Sequence, residues 1–485
     1  MQADNRRIFH LLAGPLLGLL LFRCFPASYI EVGGAVISLA PAARWTIACI
    51  GWMAWWWLAE PLPLPVTSLV PALFFPLLGV QSLAQTLIPY ADPLLFLFLG
   101  GFVLAAAIEK CGLHRRFAFS LLRLSGGHAK RLVLAIMAAT GFISLWLSNT
   151  ATAVLMFPVA LSLARHELAD QNLRKCLVLG VAYSATIGGM GTLIGTPPNV
   201  FVSSFLHSQY HLTLDFWTWM GFGMPMVLLM LPMTYWLLTR ISFPLGEVRL
   251  EGFTQAHEDV SWRWSHLSSA ARVTLGVFLC AALAWMSRAV LVDLEILGRR
   301  PLHALTDTGI ALAAALALFA LPVRGAREGA LNWEDTHGLP WGTLLLFGGG
   351  LSLAAAISAN GIDTALGALL AGFPPYPKPL VIAAIAASVI FVSEIASNIA
   401  TAAAMTPLLA AAAPSLGLLP AEAAIVAGLA ASSAYMLPVG TAPNALAYGT
   451  GYLSTRDMAQ TGLTLNILSI VLIVIVGTYL VPVLV

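Results

Sequence analysis

Apolar runs about twenty residues long recur from one end of this chain to the other, and a helix of that length matches the hydrocarbon thickness of a bilayer. Such runs occupy residues 8–25, 37–59, 64–80, 93–112, 177–206, 215–239, 269–291, 305–322, 340–358, 421–449 and 461–484. Only 9% of residues are charged and 59% are hydrophobic, whereas a soluble domain carries roughly 25% charged residues. The expectation is an all-α polytopic membrane protein of about eleven transmembrane helices. The alternating pattern of barrel strands is not evident.

Two further apolar stretches, 132–164 and 379–413, are each interrupted at the middle by a polar tripeptide: Ser148-Asn149-Thr150 and Ser397-Asn398-Ile399. They read as re-entrant helical hairpins that do not cross. The positive-inside rule tests this arrangement. With eleven crossings and a cytoplasmic N-terminus, 18 of the 24 basic residues fall inside, Arg249, Arg263 and Arg327 among them. Arg23, Arg44, Arg288, Arg299, Arg300 and Lys378 fall outside. The C-terminus is then external. Arg6-Arg7 ahead of the run Ile8–Phe22 resembles a signal peptide, but no small-residue cleavage site follows, so an uncleaved first helix is expected. The stretch 113–131, basic and amphipathic, is expected along the inner interface, and 241–266 is expected as a cytoplasmic loop.

The tripeptides lie 249 residues apart, and the same offset aligns LGGFVLAAAIEKCGL (99–113) with GGGLSLAAAISANGI (348–362), Ser144 with Ser393, Thr152 with Thr401 and Pro158 with Pro407. A constant register over that span indicates an internal duplication. One hairpin enters from each side, as inverted-topology repeats require. After each hairpin comes a helix broken by glycine and proline: IGGMGTLIGTPPN (187–199) and LPVGTAPN (437–444). Proline removes a backbone donor and glycine permits irregular dihedrals, and irregular backbone at membrane depth survives only when it lines a cavity or is buried in protein.

Four breaks in two pairs therefore define one central site that offers Ser, Thr and Asn side chains, bare carbonyls and helix N-termini. The N-termini carry roughly +0.5 of charge and favour carboxylates, while carbonyl and amide oxygens suit a hard cation such as Na⁺. A membrane carrier of an anion with cations is the expected function. Alone, either tripeptide would be an ordinary helix cap.

These motifs, SNT with SNI and GTPPN with GTAPN, resemble the divalent anion:sodium symporter family of dicarboxylate and citrate transporters, over about residues 93 to 460. The segments AYSATIGGMGTLIGTPPN and YMLPVGTAPNALAYGTG carry the resemblance most specifically. It implies substrate contacts at Ser148, Asn149, Thr150, Ser397, Asn398 and Thr441. It implies one sodium site at Ser144, Asn149 and Gly195, and a second at Ser393, Ala396, Asn398 and Gly440. It further implies a homodimer in the cytoplasmic membrane that works as an elevator. The corresponding division is scaffold helices at 1–92 and 269–339, repeat cores at 93–240 and 340–485, and the loop at 241–268. Ile399 departs from the pattern by removing a hydroxyl worth about 0.5–1.5 kcal/mol to a facing carboxylate oxygen, which puts strict C4-dicarboxylate selectivity in doubt. Ala442, in place of a proline, is a smaller departure.

Glu394, three residues before the second tip, is expected either as a buried carboxylate held by backbone or as a proton-coupling group; Leu145 occupies its position in the first half. A sodium-independent anion exchanger or a proton-coupled carrier on the same fold is the alternative function. An intramembrane enzyme would need a base near the serines, and no His or Lys adjoins either tip. The net charge of +2 with scattered basic residues suggests no nucleic-acid partner. Cys24, Cys49, Cys111, Cys176 and Cys280 are dispersed and read as packed thiols, so no organic or metal cofactor is expected besides Na⁺ as coupling ion. Trp55, Trp56 and Trp57 fit an interfacial aromatic belt.

Overall fold

The structure is a computed structural model that describes residues 2–30, 36–165, 169–247, 267–295, 299–324, 329–370 and 376–485. The helices of the first half, in chain order, are α1 (Gln2–Cys24), α2 (Pro41–Ala59), α3 (Leu64–Thr67), α4 (Val70–Leu77), α5 (Leu83–Leu87), α6 (Pro93–Lys110), α7 (Leu113–Arg123), α8 (Ala129–Ser144), α9 (Asn149–Ala164), α10 (Gln171–Gly189), α11 (Pro197–Tyr210) and α12 (Phe216–Trp236). The second half holds α13 (Ser269–Val292), α14 (Asp307–Ala320), α15 (Trp341–Ala359), α16 (Ile362–Leu370), α17 (Lys378–Ser393), α18 (Asn398–Ala412), α19 (Pro420–Ala431), α20 (Ala442–Gly449), α21 (Thr455–Ile475) and α22 (Val481–Leu484). A short antiparallel pair, Ser28–Ile30 with Val36–Ser38, joins α1 to α2.

Among the described residues seven helices are long and apolar enough to cross a membrane: Asn5–Cys24, Leu83–Lys110, Phe216–Ser242, Ser269–Val292, Trp341–Ala359, Asn398–Leu416 and Thr455–Leu484. The runs at 177–206 and 421–449 are each split into two shorter helices, and the run at 305–322 yields only the fourteen residues of α14. Length alone does not separate a hairpin arm from a span, since Asn398–Leu416 reaches it too. Large aliphatic side chains such as Leu12, Leu16, Leu228, Leu283, Val290 and Val471 point outward, a surface suited to lipid tails.

Each of the two interrupted stretches forms a pair of helices that breaks at its polar tripeptide. At the first tip the amides of Trp146 and Leu147 both reach back to Ile143 O (3.0 Å), tightening the end of α8 before Ser148 turns extended and opens α9. At the second, Ile395 and Ala396 both reach Val392 O (3.1 Å) and Ser397 opens α18. Ala129–Ser144 and Lys378–Ser393 coincide at the 249-residue offset. Beyond the hairpins the offset shrinks. Ser144 meets Ala185 where Ser393 meets Ala431, a difference of 246, and Thr196 corresponds to Thr441, a difference of 245.

The breaks have one local cause. Proline at the first helical positions of α11 and α20 supplies no N–H, so carbonyls upstream lose their partners. Asparagine repairs this from inside: Asn199 Nδ2 donates to Gly189 O (3.0 Å) and Thr192 O (2.7 Å), and Asn444 Nδ2 to Ala434 O (3.4 Å) and Leu437 O (3.1 Å). Thr196 and Thr441, the residues before the prolines, share an extended backbone with φ of −142° in both. The two halves interlock at these points. α20 packs against α9 and α10, and α11 packs against α18 and α19, which draws both tips and both breaks together.

Several expectations need correction. Trp57 belongs to the core rather than an interfacial belt, being 1% exposed with Nε1 donating to Ser68 Oγ at 3.3 Å. Cys49 and Cys176 are buried, but Cys24 and Cys280 are exposed and so are not packed thiols. Of the loop expected at 241–266 only the first residues are described; Arg249, Arg263 and Arg327 lie outside the described residues. Asp307 pairs with Arg288 Nε (2.9 Å) and accepts from Phe216 N (2.9 Å), which ties the start of α14 to α12 and α13.

Candidate functional site

A cavity of about 670 Å³ is walled by both tips and both breaks, a volume typical of ligand clefts. Ser148, Asn149, Thr150, Ser397, Asn398 and Thr441 all line it, as do Ala396 and Gly440. Thr196, the counterpart of Thr441, lines it too. Reading the two GT(P/A)PN segments against each other would have found Thr196, because they align residue for residue.

The capping pattern decides which groups remain for a ligand. Ser148 Oγ accepts from Ala151 N (3.3 Å) and Thr441 Oγ1 from Asn444 N (3.2 Å), so these hydroxyls close their own helices. Ser397 makes no side-chain cap, and the fifteen-residue α18 therefore opens on the cavity with uncapped N–H groups. No Lys, Arg or His lines the cavity; its one charged lining residue among the described residues is Glu60, at the C-terminus of α2.

Behind each tip the serine and asparagine assigned to sodium meet. Ser144 Oγ lies 2.6 Å from Ala185 O and 3.2 Å from Asn149 Oδ1. Ser393 Oγ lies 2.7 Å from Ala431 O and 2.9 Å from Asn398 Oδ1. A hydroxyl carries one proton and cannot donate to both neighbours, so each serine leaves one oxygen–oxygen contact without a hydrogen. Around the first pair the backbone closes in. A Cβ placed on Gly189 would stand 2.0 Å from Asn149 Oδ1 and 3.1 Å from Gly195 O, and one on Gly195 would stand 2.5 Å from Gly189 O and 2.9 Å from Ser144 O. The oxygens of Ser144, Asn149, Gly189 and Gly195 thus pack against these two glycines and leave neither room for a side chain.

At the second pair the end of the Asn398 amide that faces Ser393 also faces Gly440 O (3.3 Å) and Ala431 O (3.2 Å). With nitrogen there the amide donates to these acceptors. With oxygen there, oxygens converge as they do around a small cation. The first cluster offers neutral oxygens to a monovalent ion, and the second offers them when the Asn398 oxygen is turned inward.

Glu394, 3% exposed and absent from the cavity wall, has both oxygens occupied. Oε1 accepts from Tyr435 N (2.7 Å), Met436 N (2.8 Å) and Asn466 Nδ2 (2.8 Å), and Oε2 from Leu437 N (2.9 Å). It is the buried carboxylate held by backbone, and it fixes the unwound segment that leads to Gly440. In the first half different groups hold the corresponding segment: Thr192 Oγ1 donates to Leu145 O, and Trp219 Nε1 to Met190 O (3.0 Å).

The cavity continues past Phe102, Ser148 and Pro340 into a second space of about 400 Å³ at the Lys110–Asp335 ion pair (2.6 Å). Partial burial pushes the Asp335 carboxyl upward, but the Asn332 amide and Lys110 outweigh it and hold it below the usual carboxylate range.

Comparison with known proteins bears on the family and the fold. A family model described as citrate transporter matches residues 54–430. The sodium-dependent dicarboxylate transporter SdcS of Staphylococcus saprophyticus is 34% identical over 484 residues, covering 97% of this chain and 91% of the relative. Its namesake in Staphylococcus aureus strain USA300 is 33% identical over 490 residues, covering 98% and 92%. Among solved structures, the Alcanivorax borkumensis YdaH transporter aligns with a TM-score of 0.59 at 14% identity, over 98% of this chain and 97% of that one. MtrF of Neisseria gonorrhoeae aligns with a TM-score of 0.59 at 15% identity, over 97% and 93%. At such identities the likeness speaks for the fold alone. On the family model and the full-length relatives together, this multi-pass chain belongs to the divalent anion:sodium symporter family.

Proposed function

We propose that this protein is a secondary active transporter that moves small di- or tricarboxylates of the succinate, malate, fumarate or citrate class across the cytoplasmic membrane, driven by co-transported Na⁺. The observation that carries the reading is the serine–asparagine pair behind each tip, whose asparagine also lines the wall of one cavity. A carboxylate placed at the uncapped start of α18 meets N–H groups of Asn398, Ile399 and Ala400 and the hydroxyl of Ser397. Sodium behind Asn149 and Asn398 fixes those amides, so that each Nδ2 is turned away from the ion and toward the anion. Cation and anion then favour one another through shared side chains rather than direct contact, and the linkage is reciprocal.

The matching hairpins and breaks support two inverted-topology repeats, with the N-terminus inside and the C-terminus outside. Helices of 1–92 and 269–339 would form a dimeric scaffold against which the tips and broken helices ride as an elevator. Glu394 supports sodium over proton coupling, because four N–H donors occupy it away from the cavity.

Radiolabelled succinate or citrate uptake into proteoliposomes tests this. Uptake into vesicles without internal anion, dependent on an inward sodium gradient, is expected. Uptake confined to vesicles preloaded with anion and indifferent to sodium would make the protein an exchanger.

A further inference from the structure

The two sides of the cavity are not chemically equivalent. The first tip and break present Ser148, Asn149, Thr150 and Thr196. On the second, Ile399 stands where Thr150 does, flanked by Ile395 and Val439 in the same wall. Ile395 is 53% exposed and Val439 68% exposed. Aliphatic surface left open in a cavity whose described lining carries no cationic side chain gains nothing from a carboxylate and gains directly from an apolar ligand group.

We propose that this site selects dicarboxylates bearing an aliphatic branch, which lies against Ile395, Ile399 and Val439 while the carboxylates engage the Ser–Asn tips. The inference rests on the carboxylate reading of the same cavity and narrows its substrate class. An unsubstituted C4 dicarboxylate leaves the aliphatic wall facing water and finds no hydroxyl at position 399. Each CH₂ buried there is worth about fourfold in affinity, so a three-carbon branch of which two carbons are buried gains roughly fifteenfold.

The test is competition against sodium-driven uptake of radiolabelled succinate into proteoliposomes by succinate, methylsuccinate and propylsuccinate. Wild type and Ile399→Thr are compared, with thermal unfolding of the purified wild type in the presence of each compound and Na⁺ as a measurement that needs no variant. Propylsuccinate is expected to inhibit at about fifteenfold lower concentration than succinate and to stabilise wild type at correspondingly lower concentration. In Ile399→Thr the preference should shrink severalfold while succinate competes better. Intact sodium-driven succinate uptake with propylsuccinate equal to or weaker than succinate overturns the inference and leaves the carboxylate reading standing. Stabilisation by propylsuccinate with no succinate uptake would support it. Neither uptake of succinate nor stabilisation by any of the three would overturn both.

Discussion

Replacing Glu394 by glutamine alters little besides charge and one acceptor, and it separates a structural carboxylate from a coupling one. Oε1 serves three donors and Oε2 one. A glutamine keeps its single carbonyl oxygen on the three-donor side and sets its NH₂ against the Leu437 N–H. The orphaned amide costs about 1–3 kcal/mol, and each of the three surviving bonds loses about 0.5–1 kcal/mol of charge assistance. The sum is near 4 kcal/mol, roughly a thousandfold in an equilibrium constant if none of it is relieved. Backbone adjustment will relieve part, because the segment 432–441 is already irregular. Gly440 lies near the end of that segment, close enough that a Cβ there would stand 3.1 Å from Glu394 Oε2. The cost should therefore appear at the second cation cluster. Purified Glu394→Gln is expected to unfold at lower temperature, and its succinate uptake to need on the order of tenfold more sodium for half-saturation, with pH dependence unchanged. Wild-type stability and sodium dependence, combined with a lost response to a proton gradient, would refute the structural assignment and favour proton coupling.

Gly189→Ala puts a methyl group on the Asn149 amide, 2.0 Å from Oδ1; sodium-dependent uptake should be abolished while thermal stability falls by no more than a core overpacking costs, about 1–3 kcal/mol. Normal sodium dependence in that variant would remove Gly189 from the first cluster. Glu60 has φ of 46°, a left-handed conformation that glycine adopts without strain. Glu60→Gly should keep or raise the unfolding temperature and, by removing the charge from the cavity wall, lower the KM for an anionic substrate; a raised KM contradicts the electrostatic reading. The Lys110–Asp335 pair lies near the surface and is worth at most about 1 kcal/mol. Because the folded Asp335 carboxyl sits below its unfolded value, this contribution is present above the unfolded pKa and lost as pH falls through the folded one. The stability difference between wild type and Asp335→Asn should accordingly vanish on acidification, and a difference that is constant with pH would count against the pair.

Much of the site was legible because proline and glycine write backbone breaks into the side-chain sequence, and duplication marks which breaks belong together. Ser148, Asn149, Ser397, Asn398 and Thr441 reach the cavity for that reason. The groups that sequence could not supply are carbonyls. Ala185, Gly189 and Ala431 contribute main-chain oxygens, and nothing in a residue's identity says where its carbonyl points. Thr196 was legible too, since it stands opposite Thr441 when the two GT(P/A)PN segments are aligned. Glu394 was visible as an intramembrane charge, but three of its four partners are backbone amides positioned by the unwound segment. Trp57 sat in an apolar run beside two other tryptophans, and only the packing of α2 on its neighbours distinguishes a core indole from an interfacial one.

If cation and anion share Asn149 and Asn398, equilibrium binding of radiolabelled succinate to the purified protein must respond to sodium through those two side chains. Succinate affinity should climb with sodium in wild type and lose most of that climb in Asn149→Ala and in Asn398→Ala. Succinate binding that is tight without sodium and indifferent to its addition would contradict the shared-asparagine account.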